Sequence, residues 1–195
     1  MTDPRAALVR YYHLLRQHGL NDSHSGNGSV RAGERVWLTP TGACGDTMTA
    51  ADLLASPIAG PIPAGASLDA ALHLAVYRAA PDSGAVLHSH GPHAIACSLA
   101  GSEFTPIDFE GRHLFPRVPI VDLPGGDHVR EAPGRIAAAL SEQPFAILRG
   151  HGVYARGANL DEAYRWNSQI EASARIAWLA RGWEHSQAGR ADAQP

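Results

Sequence analysis

The stretch AVLHSHGPH, residues 85–93, limits what this chain can fold into more than any other. Ala85, Val86 and Leu87 open a buried strand, and His88 and His90 follow at a spacing of two. Residues i and i+2 of a strand point to one face, so the two imidazoles stand side by side. Gly91-Pro92 then breaks the strand. That puts the pair at a strand end, where sites open to solvent. A second stretch, AILRGHG at 146–152, repeats the grammar: an apolar strand, then His151 between two glycines. Three neutral imidazoles with one coordination position left over are the pattern of a catalytic zinc rather than a structural one.

The rest of the composition narrows the class. The 195 residues, 45% of them apolar, suffice for one domain with a full core, taken here as residues 1–195. A net charge of -3 gives no basic footprint for nucleic acid. Only 18% of residues are charged, which agrees with surface hidden in an oligomer. Cys44 and Cys97 make no disulfide framework, and MTDPRAAL is no secretory signal. No apolar run approaches membrane-spanning length. The expectation is a cytoplasmic protein with a small-molecule partner and neither nucleic acid nor membrane.

Asp3-Pro4 starts a helix that runs to about His18. Residues 29–31 and 36–39 read as a hairpin turning at Ala32-Gly33-Glu34. The flanking loops SGNGS and TPTG expose backbone N–H groups that suit an anion, and equally suit tight turns. Thr49 with Asp52 resembles a capping box and predicts a short helix to Ser56. Residues 67–80 predict an amphipathic helix capped by Ser67, with Asp69 and His73 at i and i+4. That pair reads either as a first-turn carboxylate with a histidine partner or as catalytic machinery. Residues 92–100 predict a helix with His93 as a surface or capping residue, and 103–117 give no clear pattern. A strand at 118–123, a helix at 131–140 with Pro133 in its first turn, and a strand at 145–148 follow. Residues 152–155 continue that strand or pair beside it. The last helix spans 160–180, stopped by Gly182, with a polar, frayed tail from His185. Hairpins and prolines among mixed elements predict a three-layer α/β/α fold around a mostly antiparallel sheet.

SGNGSV at 25–30, LTPTG at 38–42, SLDAALH at 67–73, AVLHSH at 85–90 and RGHGVYARG at 149–157 follow in an order that resembles the class II aldolase/adducin-head family. The resemblance implies Zn2+, or Mn2+ or Co2+, on His88, His90 and His151. It implies a nine-stranded, mostly antiparallel sheet and a fourfold homotetramer with sites at subunit interfaces. It implies an aldol-type lyase that cleaves a small sugar phosphate or related hydroxy-carbonyl compound through a metal-stabilised enediolate. Asp69 stands where the family has its acid/base, with Asp in place of the aldolases' usual Glu. Asn27, Thr41, Gly42 and Ser67 match the family's phosphate-binding positions, and Leu68 replaces the second serine of that pattern. Where the aldolases place a tyrosine as proton donor, this chain offers Asp108, Glu110 and His113, with Glu110 the first candidate. The family also borrows residues from a neighbour's C-terminus, and the segment after Trp183 and His185 is expected to contribute differently. Epimerisation, dehydration and decarboxylation pass through similar intermediates and stand as alternatives. So does a non-catalytic, adducin-like scaffold, against which the retained histidines argue.

Overall fold

The computed structural model describes residues 3–191, with side chains described through residue 183. The chain runs α1 (Pro4–Gln17), β1 (Asn27–Ala32), β2 (Arg35–Leu38), β3 (Leu54–Pro57), α2 (Ala70–Ala79), β4 (Ala85–Ser89), α3 (Pro92–Ser98) and β5 (Glu103–Phe104). It continues with α4 (Phe109–Leu114), β6 (Val118–Val121), α5 (His128–Glu142), β7 (Phe145–Leu148), β8 (Gly152–Gly157) and α6 (Leu160–Ala191). The strands form one eight-stranded sheet in the order β3-β2-β1-β4-β8-β7-β6-β5. Every pairing is antiparallel except that of β6 with β7.

Period-two alternation sorts the core into two layers. Val86 of β4, Ala146 and Leu148 of β7 and Tyr154 of β8 face one way, against Leu72 and Val76 of α2 and Ile136 and Leu140 of α5. Phe145, Ile147, Val153 and Ala155 face the other way, against Trp166, Ile170 and Ala174 of α6. Ala85 and Leu87 share that second face with Leu8, Tyr12 and Leu15 of α1. The result is the expected α/β/α layering. All five residues of β4 are buried, as a strand covered on both faces must be.

The structure departs from the sequence reading at several elements. The expected ninth strand is absent among the described residues; in its place is a single bridge between Pro40 and Ala66. Its two bonds, from the Thr41 N–H to the Gly65 carbonyl (2.8 Å) and from the Ser67 N–H to the Thr39 carbonyl (3.1 Å), flank Pro40. The helix expected from Thr49 is instead a turn leading into β3. Asp52 Oδ2 accepts from both the Thr49 N–H (2.7 Å) and the Thr49 hydroxyl (2.8 Å), closing the turn locally. No periodic apolar face follows to carry a helix further. Ser67 does not cap α2: its Oγ accepts from the Asp69 N–H (3.2 Å). Asp69 holds the cap position. Helix α5 begins three residues earlier than expected, because Asp127 accepts from the Arg130 N–H and caps it, leaving Pro133 inside the helix. Helix α6 passes through Gly182 to Ala191; one helical glycine costs only about 1 kcal/mol. The unclear stretch resolves into β5 and α4, the latter capped by Asp108. Residues 152–157 pair beside β7 as β8.

The turn from β7 to β8 depends on Gly152. Its φ is +154°, and a Cβ there would lie 2.1 Å from the Ser89 carbonyl oxygen. Gly152→Ala is expected to destabilise the fold by about 2 kcal/mol or more, measured as a lowered midpoint in chemical unfolding. An unchanged midpoint would contradict this close approach.

Candidate metal centre

Strand register assembles the site. Asn27 on β1 lies opposite His88 on β4, and His88 lies opposite Tyr154 on β8. Three adjacent strands therefore present Asn27, His88 and Tyr154 as one row on the face covered by α2 and α5. The N-termini of those two helices bring Asp69 and His128 to the row.

His88 is almost fully buried. Its Nδ1 donates to the Val153 carbonyl (2.9 Å), so its Nε2 presents a lone pair. The ring stacks on Tyr154, with centroids 3.8 Å apart. His90 follows the strand, and its N–H donates to the Leu20 carbonyl (2.8 Å) and to Asn21 Oδ1 (2.9 Å). Its Nε2 lies 2.8 Å from His88 Nε2. His151, between two positive-φ glycines, lies parallel to His88 at 4.9 Å between centroids. One ring nitrogen from each of the three lies within 4.8 Å of the others. Ligands about 2 Å from a common ion stand ~3.3 Å apart, a spacing that these rings can adopt. Burial pushes the pKa of His151 down to about 4 and lowers those of His88 and His90, with the neighbouring imidazoles adding to the effect at His88 and His151. Neutral imidazoles are the form that ligates metal. The Nδ1–H of His88, anchored on a backbone carbonyl, is the outer contact that orients a metal-binding histidine. The donor set fits a divalent ion.

Asp69 is buried and accepts three hydrogen bonds. Asn27 Nδ2 and the Tyr154 hydroxyl donate to Oδ2 (both 2.8 Å), and His128 Nε2 donates to Oδ1 (2.6 Å). Burial alone would raise the Asp69 pKa. The hydrogen bonds from His128 and Asn27 outweigh it and hold the carboxyl well below its ordinary range. The His73 imidazole does not bond the Asp69 carboxylate directly, although the His73 N–H donates to the Asp69 carbonyl (2.9 Å). His73 Nε2 donates to Asn27 Oδ1 (2.7 Å), and its Nδ1 accepts from Ser29 Oγ (2.7 Å), which in turn meets Tyr77 (2.9 Å). Asn27 thus joins the two members of the i, i+4 pair.

A cavity of about 210 Å³ opens onto these groups. Asn27, Thr41, Gly42, Ser67, Asp69, His88, His90 and His151 all line it, as do His24 and Leu68. Two loops form its outer wall, and Tyr12 ties them together: its hydroxyl meets the carbonyls of Ala43 (3.1 Å) and Ser25 (3.3 Å). Leu68, 72% exposed, stands at the rim. Among the described residues no arginine side chain lines the cavity. Glu110 lies exposed in the first turn of α4 and is not among the lining residues. His93 sits apart, paired with Glu171 (2.6 Å), whose carboxylate also accepts from the His93 and Ala94 N–H groups at the start of α3.

Two residues of the site escape the sequence reading. His128 becomes visible once Asp127, after Pro124-Gly125-Gly126, is recognised as a helix cap that places the next side chain at the helix N-terminus. Tyr154 follows from alternation along β8, which points it to the same face as His88.

Residues 6–178 match the model of the Class II Aldolase and Adducin N-terminal domain family. The L-fuculose phosphate aldolase of Escherichia coli is 28% identical over 167 residues, covering 81% of this chain and 74% of that protein. The L-ribulose-5-phosphate 4-epimerase of Salmonella typhi is 28% identical over 186 residues, covering 86% of this chain and 81% of that protein. The crystal structure of L-fuculose-1-phosphate aldolase from Thermus thermophilus superposes with a TM-score of 0.86 at 34% identity, covering 98% of this chain and 97% of that one.

The buried network gives a pH dependence. Burial lowers the pKa of His73 from 6.5 to about 4. Between those values the unfolded chain binds a proton that the folded chain does not, so stability falls as pH drops through that window. One proton is worth about 1.4 kcal/mol per pH unit. Chelator-treated protein is expected to lose stability between pH 6.5 and 4, with a slope made shallower by about one proton in His73→Gln. Urea midpoints across that range check this; equal slopes in the two proteins would contradict it.

Proposed function

The chain belongs to the class II aldolase and adducin N-terminal domain family, and on that premise we propose that it is a divalent-metal-dependent lyase of aldol type. Its substrate is a small sugar phosphate or related hydroxy-carbonyl compound. The observation that carries this reading is the convergence of His88, His90 and His151 on one point of the cavity.

Aldol cleavage needs somewhere to put the electron pair of the broken C–C bond. All sixteen residues counted as Lys or Arg are arginines, so these 195 residues contain no lysine for a Schiff base. His88, His90 and His151 would hold the ion, and Zn2+, Mn2+ or Co2+ there would supply a Lewis acid for the substrate carbonyl. Asp69 is the acid/base. A carboxylate offers about four lone-pair sites. Asn27, Tyr154 and His128 use three, which leaves one for the substrate hydroxyl that loses its proton as the bond breaks. Thr41, Gly42 and Ser67, with the second N–H of Asn27, hold the anionic end of the substrate.

Glu110 is outside the cavity of its own chain. A role for it in proton transfer would require the cavity of a neighbouring copy, as in a homotetramer with sites between subunits. Exposed apolar side chains, among them Leu99, Phe109, Trp178 and Leu179, support such an assembly. The whole chain acts as one such domain, and its free cysteines suit the cytoplasm.

One observation favours a second reaction at the same site: the likeness to the Salmonella typhi epimerase is as extensive as that to the Escherichia coli aldolase. Metal-loaded protein offered L-fuculose 1-phosphate and, separately, L-ribulose 5-phosphate distinguishes the two by product. A three-carbon phosphate from the first supports the lyase; a pentulose epimer from the second supports the alternative. In either case Asp69→Asn is expected to lower kcat by about 10²–10⁴. Full activity in Asp69→Asn would overturn its assignment, and no turnover of these or related hydroxy-carbonyl compounds would overturn the enzymatic reading.

A further inference from the structure

His90 and His151 come from separate segments of the chain, yet their rings lie 4.8 Å apart between centroids. One short helix touches both segments. Helix α3 begins at Pro92, two residues after His90, and ends at Ser98. Its start is fixed on α6: Glu171 accepts from the His93 and Ala94 N–H groups (3.1 and 2.9 Å), and a Cβ at Gly91 would lie 2.4 Å from that carboxylate. Its end meets the turn that carries His151. The Ser98 hydroxyl accepts from the Gly150 N–H (2.9 Å) while it donates to the Ile95 carbonyl (2.7 Å).

Arg149 closes this joint. Its guanidinium donates to the Ser98 carbonyl, to the Gly101 carbonyl (2.7 Å) and to the Asp122 carboxylate. The Arg149 N–H donates to the Val121 carbonyl (3.0 Å). The Ser98 carbonyl ends α3, where no helical partner follows, and a cation suits that negative helix end. Asp122 is exposed, so the ion pair by itself contributes little. The planar fork is what matters, because it reaches two carbonyls and a carboxylate at once. Only Gly150, with φ of +65°, separates Arg149 from His151. Ligands must keep their places to about 0.5 Å for a site to bind well. On the reading of His88, His90 and His151 as the metal ligands, we propose that Arg149 is a positioning residue. It locks the His151 turn to the end of α3, and α3 then sets the separation of His151 from His90.

The test uses cobalt(II) as the probe in wild type, Arg149→Met, Ser98→Ala and Arg156→Met. Arg156 is the control: it also ties a helix carbonyl, that of Leu140, to an aspartate, Asp82, but at the end of β8 away from His151. Arg149→Met is expected to show altered visible cobalt bands and to release cobalt to a chelator on the order of tenfold faster than wild type. Ser98→Ala, which loses only the bond to the Gly150 N–H and the one to Ile95, is expected to release it on the order of threefold faster. Arg156→Met is expected to unfold at lower urea yet keep the wild-type spectrum and release rate. A folded Arg149→Met protein that matches wild type in spectrum and release, or a Ser98→Ala protein with the wild-type release rate, overturns this inference alone. So does an Arg156→Met protein that releases cobalt as fast as Arg149→Met, since metal loss would then follow general stability. Wild-type protein that takes up no cobalt overturns the metal-centre reading, and this inference with it.

Discussion

The site exists because β4 is paired on both sides in one register. Asn27, His88 and Tyr154 share a row only while β1 and β8 hold their present alignment with β4. A slip of one residue would turn His88 to the layer occupied by Leu87 and bury its imidazole against α1. The hydrophobic alternation that prevents the slip is the same one that builds the core. Val86 must face α2 and α5, and Ala85 and Leu87 must face α1 and α6. Folding energy and metal-site geometry therefore depend on one set of hydrogen bonds and contacts.

Burial is turned to chemical use at this row. It keeps the histidines neutral, and thus able to ligate, at pH values where an exposed imidazole would begin to protonate. Asp69 is buried too, but three donors keep it ionised. The site so combines neutral donors and one fixed negative charge, which suits a dication. Two helix N-termini face the same spot, and their dipoles favour the Asp69 carboxylate beside them.

The layered fold was legible because β4, β7 and β8 carry long apolar runs, and the helices carry apolar stripes. His88, His90 and His151 stood out because a spacing of two and a glycine-flanked turn are local patterns. The misread segments were those whose outcome depends on nonlocal or competing bonds. Thr49 and Asp52 do pair, but the apolar residues that follow, Leu53 and Leu54, lead into β3 rather than a helix. His128 was hidden because the start of α5 was placed at Glu131, and its partner Asp69 is 59 residues away. The Asp69–His73 spacing suggested a direct pair, whereas a strand residue, Asn27, lies between them. Glu110 was chosen in a stretch that departs from the family's pattern, and its own chain leaves it outside the cavity.

The central claim is that His88, His90 and His151 hold a divalent ion. Elemental analysis of protein purified without added metal, beside a His88→Ala/His90→Ala double variant, tests it most directly. The account predicts about one zinc, manganese or cobalt per chain in the wild type and none in the variant. Wild-type protein with no stoichiometric metal even after reconstitution, or a variant that retains it, would contradict the account.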